Sequence, residues 1–325
     1  MWNLVADVGG TNMRLAAVSA EGQILAQRKF TSDGHLGLAA ACAEFITEQP
    51  SSPTSVAVAA AGVVKDGAVQ LTNAGQGFSV WDLAQACGTE DVHILNDLEG
   101  AAWSLATIDA GDVDVLQGTF APSENPMLIV GSGTGLGVGA MIFSDGKPNV
   151  VSGEGGHVRL APESADEVAY FERLITLWPE IQMGRGLAIE AEAILSGTGL
   201  PVLYKAIALT RGLPIQCENA EDVLSNAQKG SDAAAVTTAD LFRRFLGALA
   251  GDLALTVDAR GGVFITGGVV QANPWLFDTR FNEAFNAGGR HSNWRATMPV
   301  FLYKNKDFGL IGARNYLFAK SKETR

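Results

Sequence analysis

The sequence predicts an α/β protein in two domains, and three observations carry that reading. Apolar strand-like runs alternate with amphipathic helix-length runs along the chain. A strand, a glycine-rich turn and a return strand occur twice, around Asp7–Asn12 and around Gly131–Gly137. The chain has 325 residues, more than one small core accommodates. Hydrophobic residues make up 47% and charged residues 18%, the balance of a chain that buries a sizeable core.

The elements follow in order. Leu4–Ala6 is a short apolar run that leads into Asp7-Val8-Gly9-Gly10-Thr11-Asn12, and Leu15–Val18 follows at once. His35–Glu48 reads as a helix because Leu38, Cys42, Phe45 and Ile46 share a face, and Pro50–Pro53 stops it. Ser55–Ala61 has the small and β-branched composition of a buried strand. Val92–Leu95 is a strand running into Asn96-Asp97, and Leu98–Leu105 is a helix. Met127–Val130, the second glycine turn and Val138–Phe143 repeat the opening. The repeat extends further. The first hairpin is followed by a strand ending in Ala60-Ala61-Gly62, the second by Val263–Thr266 ending in Gly267-Gly268. It is a repeat of architecture more than of residues.

The second half is rich in helices. Ser164–Trp178 places Val168, Phe171, Leu174, Ile175 and Trp178 on one face. Leu187–Ser196 is read as a helix with Gly197 as its C-cap. Asp232–Ala259 runs to Gly261-Gly262, and Phe308–Lys320 closes the chain as an amphipathic helix.

Charge and cysteines exclude several classes. The net charge is −12 and the pI about 4.8, which opposes binding to a phosphate backbone, so nucleic acid is not expected as a partner. Cys42, Cys87 and Cys217 form no Cys-x-x-Cys pair, so neither a disulfide framework nor a zinc site is expected. No run of about 18 apolar residues is present, and the start of the chain lacks the basic and apolar regions of a secretory signal. The expectation is a cytoplasmic protein without membrane contact.

Two glycine loops that each follow a strand are candidates for binding phosphate. Glycine lets backbone N–H groups approach anionic oxygens closely, and Thr11 and Thr134 add hydroxyl donors. Either loop alone reads more readily as a tight hairpin turn; their pairing shifts the balance to phosphate. Neither fits the P-loop or dinucleotide-binding patterns. Asp7, at the end of the first strand, would repel phosphate unless a cation lay between them, and magnesium suits that position. Asn96-Asp97 lies just past a strand end, where crevices open in α/β sheets. In Gly153-Glu154-Gly155-Gly156-His157, three glycines leave Glu154 and His157 on closely approachable backbone, which suits a polyol, whereas a metal site would need further acids nearby and a plain surface loop would need neither side chain. Glu190 and Glu192 cannot share a helix face, so one is solvated and the other points inward. The glycine pair Gly267-Gly268 offers flat backbone to an adenine ring.

Taken in order, Asp7-Val8-Gly9-Gly10-Thr11-Asn12, Asn96-Asp97, Gly133-Thr134-Gly135-Leu136-Gly137, Gly153-Glu154-Gly155-Gly156-His157 and Phe264-Ile265-Thr266-Gly267-Gly268 resemble the bacterial ATP-dependent glucokinases. These belong to the hexokinase/actin/heat-shock ATPase superfamily, and the match is to the proteobacterial type through nearly the whole chain. The resemblance implies an actin-like, ribonuclease H-like fold with an interdomain cleft: a small domain over 1–107 plus 304–325 and a large one over 108–303. It implies phosphorylation of glucose by ATP, the first step of glycolysis, with Asp97 as general base. Ala6, Asp7, Val8, Gly9, Gly10, Thr11, Asn12, Gly133, Thr134, Gly135, Gly267 and Gly268 would contact ATP, and Asp7 would hold magnesium through water. Asn73, Asn96, Asp97, Glu154, His157 and Glu192 would bind the sugar. A homodimer is a further implication.

Two departures lie on the sugar side. Gln76 stands where the family commonly has Trp, and Arg159 where an acidic residue is frequent. They keep open a kinase for another hexose or an acylated amino sugar. A non-enzymatic sugar sensor on the same fold is opposed by the acidic pI and by a chain that starts directly at its first strand.

Overall fold

The computed structural model describes residues 1–9, 12–31, 37–71 and 77–323. It divides into two compact units, Met1–Asp109 with Met141–Ser152 and Asn305–Arg325, and Ala110–Ala140 with Gly153–Lys304.

The first unit is built on β1 (Trp2–Val8), β2 (Asn12–Ser19), β3 (Ile24–Thr31), α1 (Leu38–Thr47) and β4 (Val56–Ala60). A small three-stranded sheet follows, β5 (Gly62–Lys65), β6 (Ala68–Leu71) and β7 (Gly77–Ser79), then α2 (Val80–Cys87), β8 (Val92–Asn96) and α3 (Asp97–Ser104). The main sheet has the order β3-β2-β1-β4-β8, with β1, β2 and β3 antiparallel and β1, β4 and β8 parallel. Alternation along β1 sends Leu4, Ala6 and Val8 into a core with Phe45 and Leu83. Val5 points the other way, onto Leu310, Ala313 and Leu317 of the closing helix. Asp7 shares that second face.

After α3 come β9 (Val113–Gln117), β10 (Met127–Ser132), β11 (Leu136–Ser144) and β12 (Lys147–Gly153), of which Met141–Ser152 count with the first unit; the second unit continues with β13 (Arg159–Leu160), α4 (Ala165–Leu177), β14 (Ile189–Glu190) and α5 (Glu192–Leu195). After α6 (Gly199–Thr210), α7 (Ala220–Lys229) and α8 (Ala233–Val257) come β15 (Gly262–Thr266), α9 (Gly268–Ala272), α10 (Thr279–Asn286), α11 (Ser292–Arg295) and β16 (Val300–Tyr303). The closing helix, α12 (Phe308–Glu323), returns to the first unit. Strand order is β12-β11-β10-β15-β16-β9. Its first five strands repeat the order of the first sheet, with β15 parallel to β10 and β16 parallel to β15. The architectural repeat read from the two hairpins is therefore present in full. Among the described residues no helix is long and apolar enough to cross a membrane.

Three expectations are corrected. Leu187–Ser196 is not one helix. Ile189–Glu190 pairs antiparallel with Arg159–Leu160, the helix spans only Glu192–Leu195, and Ser196 is extended (φ −132°, ψ 163°). Tertiary pairing overrides the helix propensity of a segment rich in Ala, Glu and Leu. Helix α8 stops at Asp258, in the left-handed region with φ 53°, before the glycine pair. On α4, Val168 is 37% exposed whereas Glu167 is buried, because Arg244 reaches the Glu167 carboxylate at 2.5 Å. An ion pair, invisible to a hydrophobic pattern, turns the helix.

Candidate active site

In the first unit, Asp7 and Arg14 face each other across the β1–β2 hairpin, and their side chains pair at 3.2 Å. Arg14 also donates to the Lys306 carbonyl (2.8 Å) and lies 3.6 Å from Asp307. Gly309 leaves room for the Asp7 carboxylate, since a Cβ there would lie 2.5 Å from its Oδ1. Burial raises the Asp7 carboxyl from its ordinary value to about 6; Arg14 works against that rise and Asp307 adds to it. A carboxylate disfavoured by burial gains from a nearby cation, and hard oxygen donors in low number suit magnesium, which keeps several waters. Among the described residues no group of three or more His, Cys, Asp or Glu forms a closed metal cage. Gly9 donates its N–H to the Asn12 carbonyl (2.9 Å), which closes the first turn. Ala6 and Val8 are buried in β1 and Asn12 opens β2. Gly10 and Thr11 lie outside the described residues, as do Asn73 and Gln76.

Asn96 ends β8 and caps α3. Its side chain accepts from Leu98 N–H (2.9 Å) and donates to the Gly62 carbonyl (3.0 Å). Asp97 is the first residue of α3, half-buried, and its Oδ1 also accepts from Leu98 N–H (2.9 Å). Glu99 takes the Asn96 backbone N–H; burial raises its carboxyl and that hydrogen bond lowers it. The reciprocal cap fixes the strand-to-helix corner that presents Asn96 and Asp97. Helix α3 crosses α12 at Gly100 and Gly312, where a Cβ on Gly312 would fall onto the Gly100 carbonyl.

In the second unit, the glycine turn between β10 and β11 is braced from several sides. Gly133 N–H bonds the Gly135 carbonyl (2.9 Å), Gly197 N–H bonds the Gly133 carbonyl (2.8 Å), and the Thr198 hydroxyl bonds the Thr134 carbonyl (2.9 Å). Ser132 donates to the Leu195 carbonyl at 2.7 Å. Gly133 and Gly268 come together, a Cβ on Gly133 lying 4.0 Å from Gly268 N. Gly267, with φ 102°, packs on the backbone of Ser132 at a place and in a conformation that exclude a side chain. Three glycine segments far apart in sequence thus form one backbone-lined surface, suited to an anion and a flat ring.

Glu192 lies behind that turn. Its Oε2 accepts from Leu136 N–H (2.8 Å), and a Cβ on Gly135 would lie 2.6 Å from the same oxygen. Glu154 is 76% exposed, with its carboxylate 3.9 Å from His157 Nε2. The His157 Nδ1 meets Glu190 Oε2 at 2.9 Å. His157 is raised above its ordinary value, first by the Glu190 hydrogen bond and further by the charges of Glu192, Glu190 and Glu154, against a lowering by burial. Arg159 donates to the Met183 carbonyl (3.2 Å) and so pins the loop that returns to β14.

Asn96 and Asp97 belong to the first unit, and Glu154, His157 and Glu192 to the second. Sequence reasoning missed Arg14 and Asp307, and it placed Glu190 on a helix face rather than on a strand. Arg14 was findable, because a symmetric count across the hairpin places it opposite Asp7. Asp307 and Glu190 had no local signal; the return of α12 and the β13–β14 pair place them.

The chain matches the family model described as Glucokinase over residues 4–320. It is 35% identical to the glucokinase of Sinorhizobium medicae (strain WSM419), over 92% of this chain and 86% of that one. The crystal structure of a glucokinase from an Antarctic psychrotroph superposes with a TM-score of 0.85 at 31% identity, covering 98% of both chains. A glucokinase from Balamuthia mandrillaris, solved in complex with glucose, gives 0.80 at 25% identity over 96% of this chain and 92% of that one.

Proposed function

The chain belongs to the glucokinase family, and we propose that it transfers the γ-phosphoryl group of ATP to the 6-hydroxyl of D-glucose with Asp97 as the general base. The observation that carries the assignment of the base is the corner at the end of β8. There a carboxylate stands at the first turn of α3, held by the Asn96 cap, in a chain matching the family through nearly its whole length.

Asp97 accepts the hydroxyl proton as the sugar oxygen bonds to the γ-phosphorus and the bond from that phosphorus to the bridging oxygen of ADP breaks. Asn96 and Asp97 bind the hydroxyls at the reacting end of the sugar; Glu154, His157 and Glu192 bind others. In the turn Gly133-Thr134-Gly135 the N–H groups of Thr134 and Gly135 face the phosphates, Gly133 contacts ATP beside them with its own N–H closing the turn, and Gly267-Gly268 lie against the adenosine. Ala6 to Asn12, including Gly10, Thr11 and Asp7, approach the phosphates from the first hairpin. Asn73 completes the sugar contacts. Asp7 would hold magnesium through water, and the ion would offset charge on the transferring group.

Asp97→Asn tests the base directly. It keeps size and hydrogen-bonding capacity and removes the proton acceptor. Turnover in a coupled ADP assay is expected to fall at least about a hundredfold, with the KM for glucose nearly unchanged. A variant that retains full turnover would remove Asp97 from this role.

A further inference from the structure

The pair formed by Glu190 and His157 is used by no step above. Glu190 sits on β14 directly opposite Arg159 of β13, the cation that simple charge matching would choose for it. Arg159 instead donates to the Met183 carbonyl, and Glu190 turns to the imidazole of His157, the last residue of the short 3-10 turn Gly155–His157 that leads into β13. Ala191 N–H bonds the Val158 carbonyl (3.0 Å), which ties the two backbones beside this contact. A carboxylate is an acceptor, so at 2.9 Å from Glu190 the Nδ1 atom carries a proton. The ring orientation and the role of Nε2 are then set from behind, as a carboxylate sets a metal-bound histidine.

We propose that Glu190 is the positioning residue for His157, holding the proton on Nδ1 and aiming Nε2 at a hydroxyl of the hexose. This rests on His157 as a sugar ligand. The groups that act on the ring are Glu154, Glu190 and Glu192, with Arg159 two residues on at the start of β13, and the three carboxylates favour its charged form. His157 and Glu190 are 45% and 34% exposed, so the pair contributes little to stability and its effect is on orientation and proton occupancy. Of the two glutamates of this segment, Glu192 also holds the Leu136 N–H beside the glycine turn, and Glu190 holds the histidine.

The test is the histidine titration of the full-length enzyme by proton–nitrogen NMR. The chain has four histidines, and His157→Asn identifies the signal. Glu190→Gln is expected to move the His157 midpoint to lower pH and to raise the KM for glucose about five- to tenfold. kcat, the KM for ATP and the melting temperature stay as in the parent, and Glu190→Asp restores part of the shift. A His157 midpoint unmoved by Glu190→Gln would overturn the pairing. A parallel loss of kcat and melting temperature would reduce Glu190 to a structural part. If His157→Asn leaves the KM for glucose unchanged, it is the sugar assignment of His157 that fails, and the titration shows separately whether Glu190 holds the ring.

Discussion

The two main sheets share a five-strand order, yet their opening hairpins carry different side chains. The first carries a carboxylate, Asp7, one residue before the end of β1, set among Arg14 and Asp307. The second ends β10 in Ser132, whose hydroxyl is spent on a carbonyl, and its turn is held by backbone hydrogen bonds and by Glu192 behind it. A charged turn can tolerate phosphate only through a cation, whereas the second turn can offer its own N–H groups. The fifth strands diverge as well. β8 passes into α3 through Asn96-Asp97, while β16 passes through Lys304-Asn305 into α12. Duplication supplies the strand ends; the side chains at those ends decide the chemistry.

The largest effect is expected at the scaffold of the first unit. Gly312→Ala would drive a methyl group into the Gly100 carbonyl, and neither backbone can yield without moving the helix that begins at Asp97. A loss of about 3 kcal/mol in urea unfolding is expected. Next comes the second turn. Gly135→Ala meets a carboxylate that can move, so about 1–2 kcal/mol is expected, with a rise in the KM for ATP as Leu136 loses its brace. The smallest effect falls on the first turn. A Cβ on Gly9 would lie 3.7 Å from the Asn12 carbonyl, an ordinary contact, so Gly9→Ala should change stability by less than about 0.5 kcal/mol. Its KM for ATP should still rise several-fold, because the added methyl keeps phosphate from the backbone. Equal destabilisation by the two turn variants would erase the contrast drawn between them.

Much of this was legible in the sequence. Both hairpins, β4, β8 and β15 follow from apolar runs that end in glycine or Asn-Asp, and the sheet order confirms that the hairpins open a repeated unit. Residues read as motifs, such as Asn96-Asp97 and Glu154/His157, could be named because their neighbours in sequence are also their neighbours in space. What escaped depends on distant pairing. Glu190 looked like one residue of a helix because nothing in Leu187–Ser196 announces that Arg159–Leu160 will pair with it. Asp307 lies about 300 residues from Asp7 and reaches it only because α12 packs on the first sheet. The left-handed stop at Asp258 and the buried Glu167 similarly answer to local backbone strain and to Arg244, neither of which leaves a periodic trace.

Glucose phosphorylation is tested by ATP-dependent ADP release measured with glucose, mannose, fructose and N-acetylglucosamine at matched concentrations. The highest kcat/KM is expected with glucose, and little ADP release without sugar. ADP release indifferent to glucose, or a clear preference for the acylated amino sugar, would contradict glucose phosphorylation.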